Sequence, residues 1–319
     1  MSIVKNYLSL IKFSHTIFAM PFAMIGFFLG IFSSYVHTII KTNDGTSTSF
    51  NISIELSWPL DKLPFNFVSL LIFRLVLVIL CMVFARSAAM SFNRYLDRNF
   101  DAKNPRTAIR EIPKGIISAN SALAFTLVSC VLFLVCCFFI NRICFYLSPV
   151  ALFVILFYSY TKRFTPLCHL VLGIGLSLAP IGAYLAVTGA FALLPILFSF
   201  TVIFWVSGFD IIYSLQDEEF DKSQQLYSVP AWLGKGKALQ VSETLHILSF
   251  VCVVAAGLMG GFGLWYWTGV GIFTAMLIYQ HSIVKPNDLS KVNLAFMTAN
   301  GIASVVFAVF VIADLFINH

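Results

Sequence analysis

Asn93, Asp97 and Asp101 recur every fourth residue in "NRYLDRNFD", directly after a long apolar run; a second set, Asp210, Asp217 and Asp221, falls in "DIIYSLQDEEFD". At about 100° per residue, each set lines one face of a helix. An oxygen-rich stripe of this kind suits a hard cation. Magnesium takes one or two carboxylates and completes its shell with substrate phosphates. Two facing stripes would hold metals that bridge a diphosphate and neutralise its charge as it departs. Arg98, Arg106, Arg110, Lys162 and Arg163 follow the stripes closely enough to contact the phosphates directly, with arginine favoured for paired contacts.

The competing structural account is two ordinary charged helix ends. It covers Glu111, Glu218 and Glu219 well, and a cytoplasmic excess of Lys and Arg alone covers most of the bases. It does not cover Asp210, which stands inside an apolar stretch. A carboxylate there costs about 2.5–3.5 kcal/mol even on insertion scales, so something must compensate.

Membrane helices must position these groups. The chain has 319 residues, 59% of them hydrophobic and only 11% charged, against about 25% charged in soluble domains. That excludes a soluble globule, and it turns the net charge of +6 into an orientation signal rather than a sign of nucleic-acid binding. Stretches long enough to span, at about 20 apolar residues each, fall at 16–36, 67–92, 119–140, 143–160, 167–187, 190–214, 239–261, 264–284 and 293–316. Placing the N-terminus in the cytoplasm leaves only Lys41, Lys62, Arg74 and Arg142 of the twenty Lys and Arg outside, which orients the chain N-in, C-out. The pattern predicts an all-α polytopic membrane protein, about nine transmembrane helices in a single bundle around a central cavity. One domain would cover 1–319; Asp97 and Asp217, 120 positions apart, hint at two four-helix halves. The first apolar run lacks a cleavage site and is expected to stay. Residues 37–66 form an outer loop whose Asn51–Ile52–Ser53 sequon is read as chance. The cysteines show no metal-ligand spacing and read as small hydrophobes.

The two motifs resemble the Asp-rich signatures, NxxxDxxxD and DxxYxxxDxxxD, of the UbiA family of intramembrane prenyltransferases. "IKFSHTIFAMPFA", "RTAIREIPKGIIS" and "YSYTKRFT" are similar to its supporting segments. The resemblance implies that Asn93, Asp97, Asp101, Asp210, Asp217 and Asp221 bind a polyprenyl diphosphate through Mg2+, with Asp97, Asp101, Asp217 and Asp221 catalytic. Ionisation would give an allylic cation that an aromatic ring attacks at carbon, on the cytoplasmic side of a bacterial inner (plasma) membrane. The partners implied are the two substrates and membrane lipid, with no nucleic acid and no obligatory protein partner.

Within the family, "RSAAMSFNR", "NPRTAIREIP" and "LQDEEFD…YSVPAWLG" look like the 4-hydroxybenzoate polyprenyltransferase-like branch, on a route to ubiquinone or menaquinone. Arg94 stands where the ubiquinone enzymes usually carry Asp, Glu111 replaces a proline, and "YSVPAWLG" replaces a "KSTA"-like segment. A hydroxynaphthoate therefore stays open as the acceptor. An acidic acceptor needs a cation, for which Lys12, Arg86 and Arg110 are candidates. Tyr158, Tyr160 and Tyr213 are candidates to flank the allylic cation, and Tyr158 and Tyr213 the acceptor.

A cation-coupled transporter using Asp210 is the reading from another class, but its polar groups would sit near the midplane of both halves. Phosphatidyl-alcohol transferases open with D-G-x-x-A-R, absent from this chain. Haem proteins need facing histidines, and His15, His37, His169, His246, His281 and His319 are expected as loose polar residues.

Overall fold

The computed structural model describes residues 3–12, 18–43 and 67–318. The Asn51–Ser53 sequon, His15, His319 and the side chain of His37 lie outside them. Apart from one isolated bridge between Lys285 and Asp288, the regular structure of the described residues is helical. Short α1 (Ile3–Leu10) precedes α2 (Met20–Asn43), α3 (Phe67–Lys103), α4 (Ala119–Ile140), α5 (Arg142–Thr161), α6 (Cys168–Thr188) and α7 (Leu193–Ser214). A 3-10 turn, Leu215–Asp217, leads into α8 (Glu218–Ser223), then α9 (Val229–Gly260) and α10 (Leu264–Ile283). A π-helical turn, Leu294–Ala299, opens α11 (Asn300–Asn318).

A helix occupies each expected stretch. Among the described residues, seven are long and apolar enough to cross a membrane, and Met20–Ser33 adds a shorter apolar helix. α10 falls outside that set because Trp265, Tyr266 and Trp267 open it and Gln280 and His281 close it. These polar-tipped residues lower its hydropathy. Of the nine expected spans, seven are thus shown among the described residues, with one shorter apolar helix, and α10 is a helix of lower hydropathy.

In lipid every backbone polar group needs an internal partner, so the turns carry dedicated caps. Asn141 accepts from the backbone N–H of Cys144 at 2.9 Å, which starts α5, and donates to Leu185 O of α6 at 2.8 Å. Buried Arg74 donates to Val187 O at 3.0 Å and satisfies the last turn of α6. Ser228 accepts from Ala231 N and starts α9, with Pro230 in its first turn.

Lipid tails are as apolar as leucine, so close packing and interhelical hydrogen bonds must hold the bundle together. Gly26 of α2 lies so near α6 that a Cβ there would come within 2.0 Å of Pro180 O. Phe22, Phe198, Trp205, Phe273 and Phe307 fill one core, and Trp205 donates to Asn300 at 2.9 Å. α3 packs on α4, α6 on α2 and α7, α7 on α9, and α10 on α11.

The two helical runs that carry the acid stripes are longer than the bilayer is thick. The 37 residues of α3 extend about 55 Å, well beyond a hydrocarbon core of about 30 Å. α7 with its continuation to Ser223 makes a run of 31 residues. Both acid stripes occupy the C-terminal ends of these overlong rods.

Candidate functional site

On α3, Asn93 donates to Asp97 Oδ2 at 3.1 Å. The other oxygen of Asp97 accepts from Arg163 at 3.0 Å, while the same guanidinium nitrogen reaches Leu96 O. Phe100 and Tyr160 flank the Arg163 guanidinium at 5.6 and 5.0 Å. One turn further on, Asp101 Oδ1 accepts from Arg110 at 2.6 Å. Its buried Oδ2 makes no hydrogen bond and has Arg94 at 4.0 Å.

The chain after α3 then crosses to the second stripe. Asn104 donates to Asp217 Oδ1 at 3.2 Å and folds its own carbonyl back onto Arg106 N. Arg106 grips Asp217 through Nε, at 3.0 Å, and Nη2, and gives Nη1 to the Tyr213 hydroxyl at 2.9 Å. This is the two-pronged contact for which a guanidinium is shaped. Phe296, from the π turn, stacks on the Tyr213 ring at 4.2 Å. Asp221 is fully buried, with Lys162 at 2.7 Å from Oδ1 and the Ser228 hydroxyl donating to Oδ2 at 2.9 Å. Asp210, deeper in α7, is 2.7 Å from His169 Nδ1.

The basic loops lie outside the spans. Burial pulls the Lys162 ammonium towards neutrality, but the Asp221 carboxylate outweighs it and the net shift is upward. For Arg106 burial acts in the same sense and the Asp217 hydrogen bonds overcome it, again raising the group. Both stay charged.

Acids and bases from α3, the 104–110 segment, the α5–α6 turn and α7–α8 therefore form one interlocked cluster. Asn93, Asp97, Asp101, Asp217 and Asp221 belong to it with Arg106, Arg110, Lys162 and Arg163, and Asp210 stands behind on its own helix. Arg98 stands apart, donating to Tyr95 O at 2.6 Å and lying over that residue's ring. Lys12 is exposed beyond α1 in a left-handed turn. Glu218, expected as a surface charge, is instead buried and paired with Lys222 at 2.6 Å.

Asn104, His169 and Ser228 were not anticipated as site residues. "NP" at 104–105 signals a turn, which marks Asn104 in retrospect; nothing local marks the other two. The expectation of loose histidines fails for His169, which faces Asp210, and for His246 and His281, whose rings meet at 2.9 Å.

Next to the cluster lies an apolar cavity of about 360 Å3, walled by α3 to α6, with Ala19 and Phe191 adding to its lining. It follows α3 from Val78 to Met90, ending one turn before Asn93. Arg86 and Tyr158 mark its polar end, and the Arg86 Nε has no hydrogen-bond partner.

The donor set fits magnesium. It consists of hard oxygens, and Asp101 keeps a buried oxygen free of hydrogen bonds. Among the described residues no three acidic, His or Cys side chains gather closely enough to cage a metal by themselves.

The model of the UbiA prenyltransferase family matches residues 66–302. Nitrosomonas europaea 4-hydroxybenzoate octaprenyltransferase is 30% identical over 246 residues, spanning 76% of this chain and 82% of that protein. The enzyme of the same name from Aeromonas salmonicida is 28% identical over 70% of this chain and 76% of its own. The apo structure of a UbiA homolog from Aeropyrum pernix K1 superposes with a TM-score of 0.72 at 27% identity, covering 95% of this chain and 98% of that one. A UbiA homolog from Archaeoglobus fulgidus, bound to GPP and Mg2+, shares the fold with a TM-score of 0.68 at 19% identity over 98% of this chain and all of its own. By its motifs, its fold and these matches, the chain belongs to the UbiA prenyltransferase family, as a multi-pass, 4-hydroxybenzoate polyprenyltransferase-like enzyme.

Proposed function

We propose that the protein transfers a polyprenyl group from a polyprenyl diphosphate to a ring carbon of an aromatic acid, 4-hydroxybenzoate, in a Mg2+-dependent reaction of quinone biosynthesis. The observation that carries this reading is two acid stripes, fastened to one another by the adjacent Lys162 and Arg163, beside a long apolar cavity. The names of the curated relatives support the substrate pair, and the GPP and Mg2+ bound by the Archaeoglobus homolog support the donor and metal.

Each carboxylate of the cluster has a cationic partner. With Mg2+ and a diphosphate bound, Asp97, Asp101, Asp217 and Asp221 would hold the metal, and Arg106, Arg110, Lys162 and Arg163 would be free to contact phosphate oxygens. Exchanging partners in this way keeps charge balanced throughout, which limits its cost in a site partly shielded from water. Bound Mg2+ supplies neutralisation of the leaving diphosphate. The guanidinium and ammonium groups add fixed donors aimed at the same developing charge. The cavity holds the isoprenoid against α3, placing the carbon that loses its oxygen near Asn93. Tyr158, at the cavity's polar end, presents a ring face to positive charge there. The uncommitted Nε of Arg86 takes the acceptor's carboxylate, holding the nucleophilic ring carbon next to the reacting carbon. The ring then loses its proton as the new carbon–carbon bond is made.

The N-terminus lies in the cytoplasm, and the site faces that side, a placement supported by the basic residues on the 104–114, 162–163 and 235–237 segments.

Purified protein in detergent, given labelled donor, Mg2+ and a panel of hydroxybenzoates and hydroxynaphthoates, tests the reading by product mass. Prenylated 4-hydroxybenzoate formed with Mg2+ and lost with EDTA is the expected result. Transfer that persists in EDTA, or that favours a hydroxynaphthoate, refutes the metal or the acceptor respectively.

A further inference from the structure

Asp210 and Asp221 are both tied to the start of α9, Asp221 directly by Ser228 and Asp210 through His169 of α6, which Val229 holds. Ser228 caps that helix and donates to Asp221 Oδ2 at 2.9 Å. The next residue, Val229, donates its backbone N–H to His169 Nε2 at 3.3 Å. With Nε2 accepting, the imidazole proton sits on Nδ1, which donates to Asp210 Oδ2 at 2.7 Å. His169 is buried at 4% exposure, and its own carbonyl accepts from Ser207 of α7. The ring is therefore fixed from α9 on one side and its backbone from α7 on the other.

We propose that His169 is a positioning residue: held by the Val229 N–H, it orients Asp210 so that Oδ1 is presented to the metal. The inference rests on the reading of Asp210 as a metal ligand. Groups in this outer position commonly set metal affinity by tenfold or more, because a ligand free to rotate loses entropy on binding. A half-buried carboxylate without such a partner would also turn towards the nearest cation, and Arg106 and Lys162 already occupy its neighbours Asp217 and Asp221.

The test is Mn2+ binding to the purified full-length protein in the presence of inorganic diphosphate, read from the electron paramagnetic resonance of free Mn2+. Asn and Gln separate the two halves of the imidazole. His169→Asn places an amide donor where Nδ1 stands, whereas His169→Gln carries its amide out to the position of Nε2 and leaves Asp210 without its donor. His169→Asn is expected to bind Mn2+ within about threefold of wild type, while His169→Gln and His169→Leu weaken it about tenfold. A side chain that merely filled space would give the opposite order, since Gln matches His in size better than Asn. Wild-type affinity in His169→Gln and His169→Leu, with Asp210→Asn weakened, overturns the positioning role alone. Wild-type affinity in Asp210→Asn as well overturns the metal reading and this inference with it. If His169→Leu fails to fold, the Asn and Gln pair still decides.

Discussion

Lys162 and Arg163, neighbours in sequence, pair with carboxylates on different helices: Lys162 with Asp221 at 2.7 Å and Arg163 with Asp97 at 3.0 Å. One short turn between α5 and α6 thereby fastens the end of α3 to the end of α7–α8. Tyr227 N strengthens the link by donating to Lys162 O at 2.7 Å.

Arg163 makes demands that lysine cannot meet. It contacts Asp97 and Leu96 O together and lies near two rings. Arg163→Lys should therefore cost about tenfold in kcat/KM for the prenyl donor despite keeping the charge. Steady-state kinetics at saturating Mg2+ measures this, and an unchanged value would show that charge alone suffices.

Asp97→Ala and Asp217→Ala each remove one carboxylate from a different rod. Transfer is expected to fall at least about 100-fold in either variant. Full activity in both, followed by product mass, would rule out the two-stripe mechanism.

For Asp221→Asn the effect should appear as magnesium demand. Both of its oxygens are engaged, by Lys162 and by Ser228, so the amide keeps the packing but loses the charge. Donor binding should weaken about tenfold at limiting Mg2+ and recover in part at high Mg2+. Titration of donor affinity against Mg2+ checks this; a curve matching wild type removes Asp221 from the ligand set.

Glu218 offers a contrast. It pairs with Lys222, whose side chain is half exposed at 52%. Glu218→Gln should leave transfer within about twofold but, because Glu218 is buried, cost about 1 kcal/mol in stability rather than the few tenths of an exposed pair. Comparing thermal melts with turnover separates the two effects.

Gly26→Ala tests packing rather than chemistry. The added methyl would meet the Pro180 carbonyl, forcing α2 from α6 at a cost of about 1–3 kcal/mol. A lower melting temperature in detergent is expected, and an unchanged one would mean that the helices yield freely.

Much of this arrangement was legible in the sequence, because membrane helices announce themselves through length and hydropathy, and an i, i+4 acid stripe keeps its face wherever the helix goes. The stripes and their helices follow from spacing, and of the five bases singled out beside them Arg106, Arg110, Lys162 and Arg163 pair with the acids. Arg98 does not join them, since a helix end lets a long side chain fold back onto its own backbone, and local spacing says nothing about that choice. His169 and Ser228 were hidden for a related reason. They reach Asp210 and Asp221 from a different helix and from the start of α9, and single residues so placed leave no periodic trace. Glu218 shows the reverse error. Its sequence neighbourhood reads as solvent-facing, but the 3-10 turn before it tightens the chain and tucks it inward.

The overlong rods have a kinetic consequence. Because α3 and the α7–α8 run carry their acids towards the ends of rods longer than the oily layer is thick, a donor with the proposed isoprenoid tail can leave that tail dissolved in lipid while its head reaches the acids. Such a donor arrives by wandering within a two-dimensional sheet, so its effective abundance is its share of the surrounding lipid rather than its molarity. In reconstituted vesicles, turnover should drop when inert phospholipid is added at fixed total donor, although not one molecule has been removed from the tube.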